Sequence, residues 1–432
     1  MAGESPPAPP GWPALGHTVG FASDPFGFVA EAVESIGDVF RMQLLGKEVT
    51  VVAHPDHVGA VLRDRERFAK LDDFTVAFGE ALLAAEGDQW RRQRHAMEDF
   101  FRPTRIGEYA STMSALAHDR LDGWDGRTTV RLDEEMRLLA LENLFEVVLG
   151  HSLAGAELAS LTEAAHALNG WFEPTSWVLP DWVPTPARRR FRRGSEALRG
   201  RAQELLSAAG TDPDADSLLA TLASLREDPT SGFDESAVLD QVVGMLFAGH
   251  ETTALGMTYA LHQLGSHPAV AERATAEVDA TVNGQATLSD LQALEYVERV
   301  VDETLRLYPP VHAIPRVTTE TVEVGDWRLP AGEQVLLSVW NVHRDGRFYE
   351  EPLRFDPDRW VDTTPRERGD AYVPFGAGPR ICIGRHFARL EMKAVLAAVL
   401  SRYRLDAREE ITVAPQMTAQ PDGPVRVHVE SR

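Results

Sequence analysis

Phe375-Gly376-Ala377-Gly378-Pro379-Arg380-Ile381-Cys382-Ile383-Gly384 is the stretch from which the fold of this chain can be read. Two glycines and a proline ahead of the cysteine predict a tight, non-helical loop. The spacing of Phe387, Leu390, Met392, Leu396 and Val399 then predicts a helix over 383–403. Cys382 is thereby expected at a helix N-terminus, where unpaired N–H groups and the helix dipole favour a thiolate. It is the only cysteine of the 432 residues. The plain alternative is a small buried hydrophobe. Here, however, the loop is laid out to present the sulfur, and Arg380 stands close by to pair with an anion. One protein thiolate suits a metal-bearing cofactor that brings its other ligands, and haem is the obvious one.

A single cysteine excludes an internal disulfide, a Cys-rich zinc site and a self-contained iron–sulfur site. Nothing points to an oxidising compartment. The 43 Lys and Arg against 66 Asp and Glu leave a net charge of −23, which repels phosphate backbones and argues against nucleic-acid binding. Lys47, Lys70 and Lys393 are the only lysines. Such a composition fits either a hydrated acidic surface in high salt or a GC-rich genome.

The chain reads as one large globular unit, 1–432, with a Pro-rich arm at 1–13. That arm lacks the basic and apolar regions of a signal peptide. No apolar run is long enough for a transmembrane anchor, so a cytoplasmic location is expected. Strands are predicted at 39–44 and 48–53 around Gly46-Lys47, at 322–324 and 327–329 around Gly325-Asp326, and at 335–338, 411–413 and 425–429. Helices are predicted at 105–124, 131–149, 158–168, 195–209, 235–266, 269–282, 296–307 and 383–403. The result is a mainly α chain with small β-sheets to the side, an α+β arrangement.

Residues 235–266 are apolar enough to cross the core of a large domain, with Asp234 as N-cap. At their middle stands Ala248-Gly249-His250-Glu251-Thr252-Thr253. Polar and β-branched residues with a glycine cost stability in a buried helix, so something should compensate, and a local break that holds a ligand is one candidate. His250-Glu251-Thr252-Thr253-Ala254 lacks the second histidine of a zinc-protease motif. Gly150-His151-Ser152-Leu153-Ala154 ends in alanine where a nucleophile elbow needs glycine. Gly376-Ala377-Gly378 has Ile381 where a dinucleotide loop needs its third glycine.

The segment 375–384 matches F-x-x-G-x-R-x-C-x-G and so resembles the haem loop of the cytochrome P450 family. Glu303-Thr304-Leu305-Arg306 resembles that family's E-x-x-R, and Phe355-Asp356-Pro357-Asp358-Arg359-Trp360 its F-x-P-x-R-[FW] segment. Ala248 to Thr253 resembles [AG]-G-x-[DE]-T-[TS] on its long central helix. These motifs stand in family order from Trp90 to Gly384.

The resemblance implies a P450 fold and haem b (iron protoporphyrin IX) with Cys382 as axial ligand of the iron. Phe375, Gly376 and Gly384 would shape the loop, and Ala248 and Gly249 would let haem and oxygen approach the central helix. Glu303 and Arg306 share a helix face at i, i+3. By themselves they could be a weak surface pair; by resemblance they form a buried structural network with Arg359 behind the loop. Arg380, the i, i+4 pair Trp90 and Arg94, and Arg316 would face the haem propionates.

The implied activity is monooxygenation by O2, with electrons ultimately from NAD(P)H through a ferredoxin or flavodoxin type donor and its reductase. Glu251 and Thr252 match the acid and alcohol that deliver protons, Glu251 toward solvent. Thr252 could also simply bond back to its own helix. A peroxide-driven peroxygenase and a non-catalytic haem sensor or carrier are the other readings. A hydrophobic small molecule is the expected substrate, lined by 71–83, by Val311, His312, Ala313 and Ile314, and by a turn at 416–418. Trp171, Phe172, Trp177, Val178, Leu179 and Trp182, interrupted by prolines, are expected in a lid. The Arg188–Arg193 run is expected to be a solvated helix face, or else a contact for lipid or an anionic substrate. Arg91, Arg92, Arg385, Arg389 and Lys393 are expected to make a basic face for the donor.

Overall fold

The computed structural model describes residues 4–13, 15–153, 155–172, 183–209 and 217–432. The backbone forms two compact units, Met1–Asp72 with Asp302–Ile383, and Asp73–Val301 with Gly384–Arg432.

The first unit is built on a five-stranded sheet in the order Val39–Leu44, Lys47–Val52, Gln334–Leu337, Ile314–Thr318 and Phe68–Ala69. The first two strands form an antiparallel hairpin, Val39 opposite Val52 and Leu44 opposite Lys47. Its turn holds Leu45 at φ 52° and Gly46 at φ 84°. Two successive positive φ values are what a tight hairpin needs to match strand twist. Gln334–Leu337 joins parallel to the second strand, and Ile314–Thr318 pairs antiparallel to it. Pro315 hides that last strand from sequence reading, because proline removes a ladder donor. Val58, Val61, Leu62, Leu329, Leu337, Val339 and Val342 share one core. The helix Glu295–Leu307 straddles the two units in chain order, and its last turn carries Glu303 and Arg306.

The second unit is helical. Glu235–Ser266 is one continuous α-helix, capped by the Asp234 side chain on the Ala237 amide at 2.8 Å. The candidate local break is absent, and the compensation is of another kind: Thr252 and Thr253 donate to the Ala248 and Gly249 carbonyls at 2.8 and 2.9 Å, which satisfies both hydroxyls within the helix. The helices Leu132–Asn143 and Arg385–Arg402 pack against it. Helix Pro186–Ala208 begins well before the expected position, because Thr185 caps the Arg188 amide and Pro186 occupies the first helical position. A small sheet, Thr129–Arg131, Arg426–Ser431 and Tyr403–Asp406, and the hairpin Val413–Pro415 with Ala419–Pro421 complete the unit. Among the described residues, no helix is long and apolar enough to cross a membrane.

Candidate active site

In the first unit the Cys382 amide donates to the Phe375 carbonyl at 2.9 Å, closing the loop on itself. Gly376 and Gly378 take φ +72° and +69° inside it, conformations that favour glycine. A Cβ on Gly378 would also come within 2.8 Å of the Leu62 carbonyl oxygen. Cys382 is exposed, so it is not the small buried hydrophobe that a structural cysteine would be. The following helix starts at Arg385, after Gly384. Cys382 therefore precedes that helix, where the sequence reading put it at the helical end.

Arg380 donates to the Phe68 and Arg65 carbonyls at 3.0 and 3.3 Å, and Arg316 to the Pro315 carbonyl at 2.7 Å. Val311, His312, Ala313 and Ile314 are all half-buried. His312 lies edge-on to Phe26, which stacks on Trp340 at 3.9 Å between ring centres.

Glu303 and Arg306 are both fully buried. Arg306 forks onto Glu303 through Nε and Nη2, each at 2.8 Å. Its Nη1 donates to the His343 and Pro352 carbonyls at 2.8 and 2.7 Å. Arg359 Nε, Trp360 Nε1 and the Asp356 amide donate to the same carboxylate at 3.1, 3.1 and 3.0 Å. A buried carboxylate is tolerated here because its lone pairs are satisfied by cations and N–H groups.

His343 was not singled out by sequence. Its Nε2 accepts from the Val373 amide at 2.8 Å, so its proton sits on Nδ1, which donates to the Arg306 carbonyl at 3.2 Å. Burial, then the charges of Arg306 and Arg344, hold its pKa down at about 3. It stays neutral and joins the network to the chain entering the cysteine loop.

In the second unit nearly all of the long helix from Asp240 to Gly265 is buried. Met245, Ala248, Gly249 and Thr252 are the residues of that stretch left half-covered. Their spacing of i, i+3, i+4 and i+7 puts them on one helix face. Gly249 has a packing reason as well: a Cβ there would stand 3.2 Å from Leu144 Cδ1.

Glu251 points the other way and is 1 % exposed. Its Oε1 accepts from Gln420 Nε2 at 2.5 Å, and Gln420 also donates to Thr418 Oγ1 at 2.6 Å. His166 Nδ1 lies 3.4 Å from Oε2, and His250 Nε2 lies 3.7 Å from the same oxygen. Burial pushes the Glu251 carboxyl up, but the His166 hydrogen bond and the charges of His250, His166 and Arg137 outweigh it and hold the pKa at about 2. Gln420 and His166 stand 169 and 85 positions away in sequence, and no local motif marks either one.

Trp90 is buried and Arg94 half-buried on helix Gly87–Glu98. Phe172 is buried against Phe74 and Phe78, at 5.6 and 6.0 Å between ring centres, and Phe78 meets Phe247 at 4.8 Å. Trp171 packs on Phe191. Trp177, Val178, Leu179 and Trp182 lie outside the described residues.

Two expected surfaces change. Arg188 is 1 % exposed, with its guanidinium on the Val183 carbonyl, so only Arg189, Arg190, Arg192 and Arg193 of that run are solvated. Lys393 is buried and bound to Glu298 at 2.7 Å, and Arg389 is bound to the same carboxylate. Glu298 offsets one of these two positive charges and holds both side chains, which leaves Arg91, Arg92 and Arg385 as the basic residues of that expected face not tied to this carboxylate.

The model of the family described as Cytochrome P450 matches residues 6–427. This chain belongs to the cytochrome P450 family. It is 33% identical over 412 residues to cyclooctat-9-en-7-ol 5-monooxygenase of Streptomyces melanosporofaciens, covering 92% of this chain and 89% of that protein. Cyclooctatin synthase of the same organism is 31% identical, over 98% of this chain and 95% of the relative. Pentalenene oxygenase of Streptomyces avermitilis is 30% identical, over 98% and 96%. This P450 is accordingly a monooxygenase of the oxidoreductase class, with the mainly α fold and small sheets of its family.

Proposed function

We propose that this P450, acting as a single domain, inserts one oxygen atom from O2 into a hydrophobic small molecule. The observation that carries the reading is the pairing of Glu251 with Thr252 on the long helix. Thr252 lies on its half-covered face, and Glu251 beside it is hydrogen-bonded by His166 and Gln420. Such a pair can take protons from one side of a helix and present a hydroxyl on the other.

The residues present fit a haem. An exposed cysteine on a loop fixed by two positive-φ glycines is a suitable thiolate donor. Gly384 has φ −85°, and nothing lies within 4 Å of a Cβ built there, so no protein neighbour requires a glycine. The stripe of Ala248, Gly249 and Thr252 offers a flat face of small side chains. Cys382 would hold the iron, Phe375, Gly376 and Gly384 would shape the loop, and Trp90, Arg94, Arg316 and Arg380 would meet the carboxylates. Bound haem supplies O2 activation. The protein's own part is to fix the thiolate, keep the loop rigid through Glu303, Arg306, Arg359 and His343, and deliver protons through Glu251 and Thr252.

Each turnover takes two electrons and two protons, turning O2 and the substrate C–H bond into an alcohol and water. A separate ferredoxin or flavodoxin with its NAD(P)H-dependent reductase is the proposed electron source. Val311, His312, Ala313 and Ile314, with Trp171 and Phe172, are the proposed substrate contacts. Cyclooctat-9-en-7-ol and pentalenene, named in the relatives, are the first compounds to test.

The deciding experiment measures turnover of these compounds with NAD(P)H, ferredoxin and reductase under 18O2, against peroxide alone. Label in the product only with the redox chain supports the reading. Turnover by peroxide alone would sink it in favour of a peroxygenase. Absence of a thiolate-type carbon monoxide difference spectrum, or its survival in Cys382→Ser, would remove the ligand assignment.

A further inference from the structure

Glu251 is buried to 1 %, yet a proton-delivering acid must be recharged from water. Its neighbours differ in their means of doing so. Gln420 is an amide with its Nε2 hydrogens on Glu251 and Thr418, and it does not titrate. His250 is fully buried, with Nδ1 on the Leu246 carbonyl at 3.0 Å and Nε2 without a hydrogen-bond partner among the described residues. Burial pushes its pKa down, and it has no exposed edge from which to gain a proton. Arg137, the other cation that acts on Glu251, is bound to the Asp133 carbonyl and carboxylate and stays charged. Arg137, Asp133, Thr258 and Gln420 border a cavity of about 10 Å³, at the lower limit for one water.

His166 combines both requirements. Its Nδ1 is 3.4 Å from the Glu251 carboxylate, and its side chain is 42 % exposed at the end of helix Gly155–Ala167.

We infer that His166 is the positioning residue through which Glu251 regains its proton from solvent. The inference rests on the reading of Glu251 as the acid. In the transfer, the Nδ1–H bond of protonated His166 breaks as an O–H bond forms on Glu251, and water returns one proton to the neutral ring. The His166 hydrogen bond is also one of the influences, with the charges of His250 and Arg137, that hold the Glu251 carboxyl down against burial, which pushes it up.

The test uses the haem-loaded protein and three variants, His166→Leu, His166→Arg and Glu251→Gln. His166 is on the surface, so its variants should fold. Infrared titration follows the carboxylic acid band that disappears in Glu251→Gln. In His166→Leu this band should appear at a pH at least about one unit higher than in wild type, because the opposing hydrogen bond is gone. In His166→Arg, which keeps a cation but cannot release a proton near neutrality, it should stay low. NADH oxidation through ferredoxin and reductase, with pentalenene as probe, should slow at least about tenfold in both His166 variants. It should also gain a larger solvent deuterium isotope effect and a steeper rise toward low pH.

If Glu251→Gln slows oxidation while both His166 variants match wild type, the relay is wrong and the acid stands. If Glu251→Gln changes neither rate nor isotope effect, the underlying acid reading is wrong. If Arg137→Leu alone reproduces the slow phenotype, protons enter on the Gln420 side and the inference is overturned.

Discussion

The Val373 amide donates to Nε2 of His343 at 2.8 Å, and this one bond connects the buried Glu303–Arg306 network to the chain that enters the Cys382 loop. The imidazole is neutral because burial and two arginines hold its pKa at about 3, well below its ordinary 6.5. Between those values the unfolded chain binds a proton that the folded one refuses. The contribution of His343 is therefore fully present above about pH 6.5 and falls away as pH drops toward 3, on the order of 5 kcal/mol at full extent. Urea unfolding of wild type and His343→Gln at pH 7 and pH 4.5 checks this. Wild type should lose more stability than the variant, and equal losses would show that His343 carries none of it.

Replacing Glu303 by glutamine removes the anion shared by Arg306 and Arg359. An uncompensated buried guanidinium costs about 3–5 kcal/mol, so the urea midpoint should fall sharply with little change in slope. Should that variant not accumulate, Trp360→Phe gives a milder test. It deletes the 3.1 Å bond to Glu303 and should cost about 1–2 kcal/mol. Either variant should also shorten the lifetime of the carbon monoxide difference spectrum on warming, since the loop holding Cys382 loses its support.

What the sequence disclosed follows from the range of each signal. The long helix was legible to its last residue because its apolar pattern and the Asp234 cap are local. The hairpin Val322–Val324 with Trp327–Leu329 was legible from Gly325-Asp326. Ile314–Thr318 was not, because Pro315 reads as a breaker and its pairing partners lie elsewhere in the chain. Cys382, Glu303, Arg306 and Glu251 stand in motifs whose spacing is fixed. Their partners His343, Gln420 and His166 are supplied by tertiary packing and carry no local pattern. The candidate break in the long helix is not formed for a related reason: threonine hydroxyls can be satisfied by the helix itself, so polar residues in a buried helix need not open it.

Gly249→Ala separates the packing role of this glycine from any other. Alanine raises helix propensity by about 0.8–1 kcal/mol, but here its methyl would meet Leu144 at 3.2 and 3.4 Å. Crowding of that kind costs about 1–3 kcal/mol, so the single variant should be destabilised. In a Leu144→Ala background the crowding vanishes and the same change should stabilise. A thermal-melt cycle over the four proteins reads the sign reversal directly. Without it, Leu144 is not the reason for the glycine.

The last prediction concerns electron delivery, and it turns on two basic residues that look alike in sequence. Lys393 is buried against Glu298, whose carboxyl burial pushes up but Arg389 and Lys393 hold at about 2. Arg91 is exposed, and its 2.6 Å bond to Asp88 joins two solvent-exposed groups, a pair that holds a charge only weakly. A docking charge must be visible to an approaching partner, whereas a buried pair is already neutralised. Arg91→Glu should therefore slow reduction by an acidic ferredoxin several-fold at low salt, with the difference shrinking as ionic strength screens the charge. Lys393→Gln should leave that rate within about twofold and lower stability instead, because Glu298 loses a buried cation. Stopped-flow reduction at two salt concentrations, with a urea melt of each variant, distinguishes the two. Equal kinetic defects in both variants, or none in Arg91→Glu, would place the donor on another face.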